Sequence, residues 1–498
     1  MRTIGVVLLL VLAVASPARA QGARSLDEVV EAALSRAFTP GAVVAVVVRD
    51  TIALLQAFGR TALEEDAPPL EPDALFRAGG LGEVLNALAA VQLAQQGALR
   101  MDEPLGTAVP ELPRQLRAVT VSQLLTHTAG LAQHVSVPGR GGADDLGAAA
   151  RGLTPLDRLA PAGTYYSNSS IGIALAALAV ERAAKRPHAE AVQQLVLDPV
   201  GMERSTYDLA AVHDSLTPGW HPSSSPDARV VPAAFAPDDA TGVPLRGFIT
   251  TARDVARLAA ALLTDGIVEG ERVLPEGVAA AALEPRADVP FSRTRAALGV
   301  RMSERGTSPL VNVSGGGLGH SVMMQLLPRE RVGVVVLTNS SVTGLGGVPA
   351  FVFDRLLGEA PATAAPPTQP ADSSSLRLLA AQAGRYLNGA ELIEIEEQNG
   401  LPVLRSGDLL LPIRPLEDGA FAALIDNRVA LRFHLLIDDT GQVYLWLGDR
   451  ALARRVPGAR RGAAEVPVGA RRGAAAVPVG ARRGAAAVPT EGAPKGPR

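Results

Sequence analysis

The sequence predicts an α/β (α+β) domain followed by a small all-β domain. Residues 25–358 alternate strand-like and helix-like patterns: two β-rich segments, 41–50 and 51–59, adjoin as a hairpin, and helical periodicity follows within 76–97. Residues 376–455 carry short runs of β-formers that are separated by Asn-Gly, Asp-Gly and Thr-Gly pairs, which is typical of hairpin-connected strands.

The first elements follow from local patterns. The segment GAVVAVVVRD is rich in β-branched residues and TIALLQAFG comes directly after it, so both are predicted strands. Gly97 marks the predicted end of the helix that follows. The apolar residues at helical spacing in that helix are Leu81, Val84, Leu85, Leu88 and Val91.

Two segments are predicted to lie outside the folded domains. A Pro/Ala/Thr/Ser stretch over 359–375 indicates a linker. The tail, 456–498, repeats the unit VPVGARRGAAA and holds eight Lys/Arg against two Glu, so it is predicted to be a disordered basic tail. Two interpretations stay open: the tail contacts an anionic envelope polymer, or the repeat is an expansion without a role.

The N-terminus predicts a secretory signal peptide over residues 1–20. Arg2 precedes an apolar run, 4–15, and Ala18-Arg19-Ala20 supplies small residues at the positions that a signal peptidase reads. The apolar run is too short to span a bilayer, and no cysteine follows it to carry a lipid. We therefore expect cleavage after Ala20, no transmembrane anchor afterwards, and a periplasmic or secreted protein.

Charge and composition narrow the possible partners. The net charge of −3 gives no indication of a nucleic-acid partner. The absence of cysteine excludes disulfides and cysteine-based zinc sites, and the seven histidines lack the His-Glu-x-x-His spacing of a metal hydrolase. We therefore predict neither a metal nor a cofactor.

A set of segments resembles the β-lactamase-related serine hydrolases, which include class C β-lactamases, penicillin-binding DD-peptidases and family VIII esterases. The segments are Phe76-Arg77 with the following helix, Thr120–Leu131, Pro161–Ser169, Pro199–Met202, Thr250–Asp254 and Ser314–His320. The resemblance covers most of residues 25–358. It implies an antiparallel sheet flanked by helices, a helical lobe, and a site between them, and a β-barrel-like C-terminal domain is common in relatives.

The reaction of this family needs a Ser-x-x-Lys at the start of the helix, where serine attacks an acyl carbon and lysine helps to remove its proton. In register, Gly80 stands at the serine position and Glu83 at the lysine position. The only lysines are Lys185 and Lys495, and neither lies three residues after a serine. The sequence therefore predicts that the nucleophile and the base are both lost.

The other two family motifs are retained only in part. Tyr166 and Asn168 match Tyr-x-Asn, in which the resemblance implies a proton shuttle and a substrate-binding amide. Ser314-Gly315-Gly316 stands where relatives carry Lys-Thr-Gly or His-Gly-Gly. We expect the Glu83 carboxylate to raise the pKa of Tyr166. The Gly80 backbone N–H, at a helix start, remains a candidate ligand for a carbonyl or carboxylate.

Further polar residues have mainly structural interpretations. His127, in Leu-Leu-Thr-His-Thr, and His320-Ser321 are predicted to be structural, and Asp254 is predicted to cap or pair at a helix start. A serine at 167, 169 or 170 would be a displaced nucleophile only if a base lay nearby.

Three hypotheses follow for the function. The first is a non-catalytic member that binds a small molecule, a peptide, a peptidoglycan-like ligand or a partner in the former cleft. The second is an active hydrolase of esterase, β-lactamase or DD-peptidase type with a rearranged site that uses Tyr166, Glu83 or a nearby serine. The third is an interaction protein that acts through its C-terminal β domain. We favour the first, because the fold alone does not decide the function.

Overall fold

The computed structural model describes residues 24–133, 145–154, 157–223, 229–233, 242–341, 345–358, 373–389 and 391–455. The predicted signal peptide, most of the predicted linker and the predicted basic tail lie outside the described residues. No helix among the described ranges is long and apolar enough to cross a membrane.

The first domain combines helices with strands, as the sequence predicts. Its helices are α1 (Leu26–Ala37), α2 (Leu81–Gln95), α3 (Val121–Leu125), α4 (Asp145–Arg151), α5 (Ser170–Ala184), α6 (His188–Val192), α7 (Asp198–Val200), α8 (Leu209–Val212), α9 (Val243–Arg246), α10 (Ala252–Leu263), α11 (Val278–Leu283) and α12 (Gly347–Leu357). Its strands are β1 (Gly41–Val48), β2 (Thr51–Gly59), β3 (Phe76–Arg77), β4 (Trp220–Pro222), β5 (Val230–Pro232), β6 (Ile249–Thr250), β7 (Ile267–Val268), β8 (Glu271–Arg272), β9 (Ala287–Asp288), β10 (Arg295–Ala297), β11 (Val300–Arg305), β12 (Ser308–Gly317), β13 (His320–Leu327) and β14 (Val332–Thr338).

An eight-stranded antiparallel sheet forms the centre of this domain, in the order β2-β1-β14-β13-β12-β11-β10-β9. One face packs against α1 and α12, and Val44 and Val334 belong to that apolar cluster. The other face packs against α2 and α10, and Val43 and Val335 belong to a larger cluster that also includes α5. β1 and β14 therefore read as continuous apolar runs, because both of their faces are buried.

The predicted central helix, α2, lies in the middle of the larger cluster. Its residues from Leu81 to Leu93 are buried except Glu83, and the buried ones include all five of the predicted apolar positions. A helix that is buried on every side needs apolar residues all round, which its sequence supplies. Its first turn therefore cannot move without disturbing the core.

The second domain is a closed eight-stranded barrel preceded by the helix α13 (Ser373–Ala380). The strands are β15 (Gly384–Asn388), β16 (Glu391–Gln398), β17 (Leu401–Ser406), β18 (Leu409–Pro415), β19 (Phe421–Ile425), β20 (Arg428–Ile437), β21 (Val443–Trp446) and β22 (Ala451–Arg455). The predicted fold class, with a sheet flanked by helices and an all-β domain after it, is confirmed.

The barrel packs directly onto the first domain. Tyr444, Trp446, Ala451 and Ala453, from β21 and β22, belong to the same apolar cluster as α2 and α5. The two domains therefore share one continuous core at this junction. The sequence predicts an all-β domain after the first domain, but no local pattern in it predicts this contact.

Candidate functional site

The start of α2 is in backbone contact with β12. Gly80 is the N-cap residue of α2, with φ −62° and ψ −20°. A Cβ atom placed on Gly80 would lie 2.7 Å from the carbonyl oxygen of Ser314 and 2.9 Å from the backbone nitrogen of Gly315. Conversely, a Cβ atom on Gly315 would lie 2.5 Å from the backbone nitrogen of Gly80. The first and third motifs are therefore brought together, but as two backbones with no side chain between them.

Two other glycines at the start of α2 also leave little or no space for a side chain. A Cβ atom on Gly82 would lie 2.3 Å from the carbonyl oxygen of Pro244 in α9, and one on Gly79 would lie 3.0 Å from the oxygen of Gly316. We call Gly79, Gly80, Gly82 and Gly315 the glycine seam. Because carbon contacts below 3 Å are strongly repulsive, the first turn of α2 can approach α9 and β12 this closely only without side chains.

Glu83 forms a hydrogen bond with His127. Its Oε2 atom lies 3.1 Å from Nε2 of His127, and the side chains are 18% and 5% exposed, respectively. The backbone N–H of Ser169 donates to Nδ1 of His127 at 3.2 Å, so the ring proton is on Nε2 and is donated to Glu83. His127 therefore holds the Glu83 carboxylate, and both of its ring nitrogens have hydrogen-bond partners.

Tyr166 is fully buried between the two domains. Its ring makes edge contacts with the rings of His127 and Trp446, at centroid distances of 5.5 and 6.3 Å. Burial raises the pKa of Tyr166 well above its ordinary value, and the charge of Glu83 raises it further while that of Arg301 opposes the shift. The expected effect of Glu83 is present, but loss of hydration is the larger cause. The phenol is thus held in its protonated form.

The barrel covers the Tyr-x-Asn motif. The backbone N–H of Asn168 donates to the carbonyl of Asp449 at 2.9 Å, and that of Ala451 donates to Oγ of Ser167 at 3.1 Å. Ser169 caps α5, since its Oγ accepts the backbone N–H of Gly172 at 3.0 Å, and its hydroxyl donates to the carbonyl of Ala132 at 2.6 Å. Ser167 and Ser169, two of the candidates for a displaced nucleophile, therefore have structural hydrogen bonds.

Ser314 is exposed and is the one member of the third motif that has a polar side chain. Its Oγ accepts a hydrogen bond from Nη2 of Arg301 at 3.2 Å. Arg301 lies on β11 opposite Asn312, which precedes Ser314 by two residues on β12. Sequence analysis missed Arg301, because the pairing of β11 with β12 was not predicted. That register is the signal that would have placed an arginine beside Ser314.

The remaining candidates occupy structural positions. His320 begins β13 and is buried, with Nε2 2.8 Å from the carbonyl of Thr217. Asp254 lies in the first turn of α10 and accepts hydrogen bonds from Ser205 and from the backbone N–H of Arg204. The described residues contain no group of three or more His, Asp or Glu side chains that could hold a metal ion.

Comparison with known proteins points to one family. The sequence profile of the Beta-lactamase family matches residues 26–358. Penicillin-binding protein 4 of Amycolatopsis lactamdurans is 26% identical over 324 residues, which make up 60% of this chain and 81% of that protein. Esterase EstB of Burkholderia gladioli is 32% identical over 198 residues, 36% of this chain and 50% of the esterase.

Solved structures show the same fold. The crystal structure of SurE has a TM-score of 0.70 at 20% identity and covers 86% of this chain and 98% of that chain. A class C β-lactamase from Rhodobacter sphaeroides has a TM-score of 0.55 at 21% identity and covers 66% and 98%. The coverage by SurE exceeds the span of the family match, so that likeness extends into the barrel. The resemblance inferred from the motifs is confirmed.

Proposed function

Because this chain belongs to the β-lactamase family, we propose that it is an exported member that forms no acyl-enzyme and instead binds a peptide, a peptidoglycan-like ligand or a partner protein beside the former cleft. The observation that carries the proposal is the contact between Gly80 and β12. A Cβ atom at residue 80 would lie 2.7 Å from Ser314, so the place of a nucleophilic side chain is filled by backbone.

Three requirements of acyl transfer fail together. Gly80 offers no hydroxyl group, Glu83 offers a carboxylate instead of an ammonium group, and the raised pKa of Tyr166 disfavours the phenolate. In serine proteases, loss of the nucleophile alone lowers turnover by about a millionfold. We therefore expect no catalysis by the family's route, and the residues around the old site are free to serve binding.

The alternative of a rearranged hydrolase has one observation in its favour. The hydrogen bond between Glu83 and His127 has the form of a carboxylate–imidazole pair, which activates nucleophiles or water in many hydrolases. Against it, His127 already accepts the backbone N–H of Ser169 on its second nitrogen. Neither ring nitrogen is left to take a proton from a substrate or from water.

Hydrolysis assays on the full chain test the proposal. The substrates are a chromogenic cephalosporin and p-nitrophenyl esters, chosen because relatives of this chain include a penicillin-binding protein and an esterase. We expect rates equal to those of buffer for the wild type, for Glu83→Gln and for the matched control Glu103→Gln, in which an exposed glutamate is changed. Turnover that is lost in Glu83→Gln but kept in Glu103→Gln would favour the rearranged hydrolase.

Two further measurements test the binding and export parts of the proposal. Soluble peptidoglycan fragments are expected to raise the thermal unfolding midpoint of the protein, since a ligand that binds only the folded state stabilises it. No rise at millimolar fragment would count against this ligand class. Export predicts that protein purified from the envelope or medium begins at Gln21, which N-terminal sequencing would determine.

A further inference from the structure

An open pocket of about 490 Å³ lies between α3 and the chain that runs from the end of α11 into β9. Its volume falls within the range of ligand pockets, roughly 300–1,000 Å³. Asp102 and residues of α3 and the turn after it form one side, and residues 284–287 form the other. The residues at the family's three catalytic motifs all belong to the described ranges, and none of them lines this pocket.

Uncharged hydroxyl groups line the interior of the pocket. They belong to Ser122, Thr126 and Thr128, all of which are buried. The Oγ1 atom of Thr126 donates to the carbonyl of Ser122 at 2.7 Å and lies 3.0 Å from Oγ1 of Thr128. Because the proton of Thr126 is already used, Thr128 is the donor in this pair, and its oxygen is left as an acceptor for a ligand.

Ser122 has a buried hydroxyl group without a partner. Its side chain lines the pocket, the residue is 8% exposed, and its Oγ atom has no hydrogen-bond partner among the described residues. Most buried polar side-chain atoms are hydrogen-bonded, because an unpaired one forgoes the bonds that it makes in water. A hydroxyl group both donates and accepts, so a ligand hydroxyl would satisfy Ser122 in either direction.

Among the described residues that line the pocket, the charged ones are all exposed and form its rim. Glu284 and Arg286 pair with each other, with Oε2 3.5 Å from Nη2. Asp102 has no ion-pair partner within the described ranges. Since the interior is uncharged and the rim carries both signs, the pocket offers a charged ligand no buried counter-ion, and burial of a charge without one is costly.

We infer that this pocket binds a neutral saccharide, whose hydroxyl groups form hydrogen bonds with Ser122 and Thr128 in the interior and with Asp102 at the rim. Gln123 adds a donor, because its amide oxygen already accepts the backbone N–H of Thr120 and its Nε2 is left for a ligand. Such a mixture of donors and acceptors matches a ligand whose polar groups do both. The inference goes beyond the proposed function, since it adds a second site away from the former cleft.

Saturation-transfer NMR titration of the full chain tests this inference. The probes are N,N′-diacetylchitobiose, a neutral disaccharide, and its deacetylated form, which carries two ammonium groups. Because no aromatic side chain of the described chain lines the pocket to pack on a sugar ring, the dissociation constant of the neutral probe is expected to be roughly 1–10 mM.

Two variants assign the binding to this pocket. Ser122→Ala is expected to weaken disaccharide binding about fivefold without lowering the thermal unfolding midpoint, since this hydroxyl has no partner in the free protein. Asp102→Ala is expected to weaken it severalfold by removing a charged acceptor. Glu103→Ala is the matched control, because Glu103 is the adjacent exposed carboxylate and does not line the pocket.

The outcomes separate this inference from the proposed function. Weaker disaccharide binding in Ser122→Ala and Asp102→Ala, with the affinity kept in Glu103→Ala, supports the saccharide site. No binding at about 50 mM disaccharide, or equal affinities in all variants, overturns it. Binding of the deacetylated form at least about tenfold more tightly than the neutral probe also overturns it, because it indicates a cation site. The hydrolysis assays do not depend on this pocket, so the proposed function would be judged on them separately.

Discussion

Restoring the serine at position 80 is expected to destabilise this protein, although serine is a favourable residue at the start of most helices. In the folded chain, the new Cβ atom would lie 2.7 Å from the carbonyl oxygen of Ser314, where an ordinary contact is at least 3.4 Å. Either α2 or β12 must therefore move. α2 is buried from Leu81 to Leu93 except at Glu83, and β12 pairs with β13 from Val311 to Gly317. Neither element can therefore shift without disturbing packing or strand pairing.

The magnitude follows from comparable overpacking. Inserting a methylene group into a well-packed interior typically costs about 1–3 kcal/mol, and here the obstacle is backbone rather than a flexible side chain. We therefore expect Gly80→Ser to cost about 2–3 kcal/mol or more, near the upper end of that range. The thermal unfolding midpoint should fall by several degrees, roughly 2–4 °C for each kcal/mol.

Gly346 offers a closely matched control. It is the N-cap of α12 with φ −58° and ψ −19°, almost the same conformation as Gly80, and a Cβ atom there would meet only the end of Met323 at 3.8 Å. Gly346→Ser is expected to be neutral or slightly stabilising, within about 0.5 kcal/mol. Scanning calorimetry of both variants makes the comparison. Equal midpoints for Gly80→Ser and Gly346→Ser would refute the glycine-seam reasoning.

Three other perturbations have definite expectations. His127→Phe removes the donor to Glu83 and leaves the Ser169 N–H without its acceptor, so chemical denaturation should show that the free energy of unfolding falls by about 1–3 kcal/mol. Glu83→Gln keeps an acceptor oxygen and should lower it less. Equal losses in the two variants would contradict these hydrogen bonds. Trp446→Ala removes the fully buried ring that contacts Tyr166 and should lower the free energy of unfolding by about 3–5 kcal/mol. The measurement is the thermal unfolding midpoint of the barrel, which should fall. An unchanged midpoint would show that the domains do not share a core. Burial lowers the pKa of His188 and of His320 from 6.5 to about 4, so between these pH values the unfolded chain binds more protons than the folded chain. The contribution to the free energy of unfolding is therefore complete above pH 6.5 and falls towards pH 4, by at most about 3 kcal/mol for each histidine. His188→Gln should reduce the slope of the unfolding free energy against pH, and an unchanged slope would show that His188 is not held neutral.

Much of the fold follows from local sequence patterns. The apolar runs of β1 and β14, the helical spacing in α2 and the turn pairs between the barrel strands each specify an element within a few residues. The order of the family's motifs then fixes how these elements are arranged. Gly97, the predicted helix stop, has φ +74°, as its lack of a side chain permits.

The candidate site was predictable only as a set of positions. The sequence places Gly80, Glu83, Tyr166 and Asn168 at family motifs. The distance between Gly80 and β12 cannot be predicted from it. That distance depends on long-range packing between segments more than 200 residues apart. Local periodicity carries no such information.

The contribution of the barrel was equally invisible in the sequence. Trp446 ends β21 and Asp449 lies in the turn before β22, about 280 residues after the Tyr-x-Asn motif, in a hairpin whose pattern resembles that of any small barrel. Their contacts with Tyr166 and Asn168 arise from docking of one domain on the other. The pairing of Glu83 with His127 needed the same kind of information, since Glu83 lies in α2 and His127 lies in the turn after α3, 44 residues along the chain.

The most direct test of the central claim is the intact mass of the protein after incubation with an acylating β-lactam at millimolar concentration. With backbone in the place of the nucleophile, the mass is predicted to stay that of the unmodified chain. A stoichiometric mass increase equal to the β-lactam, mapped to a residue beside Tyr166, would contradict the account.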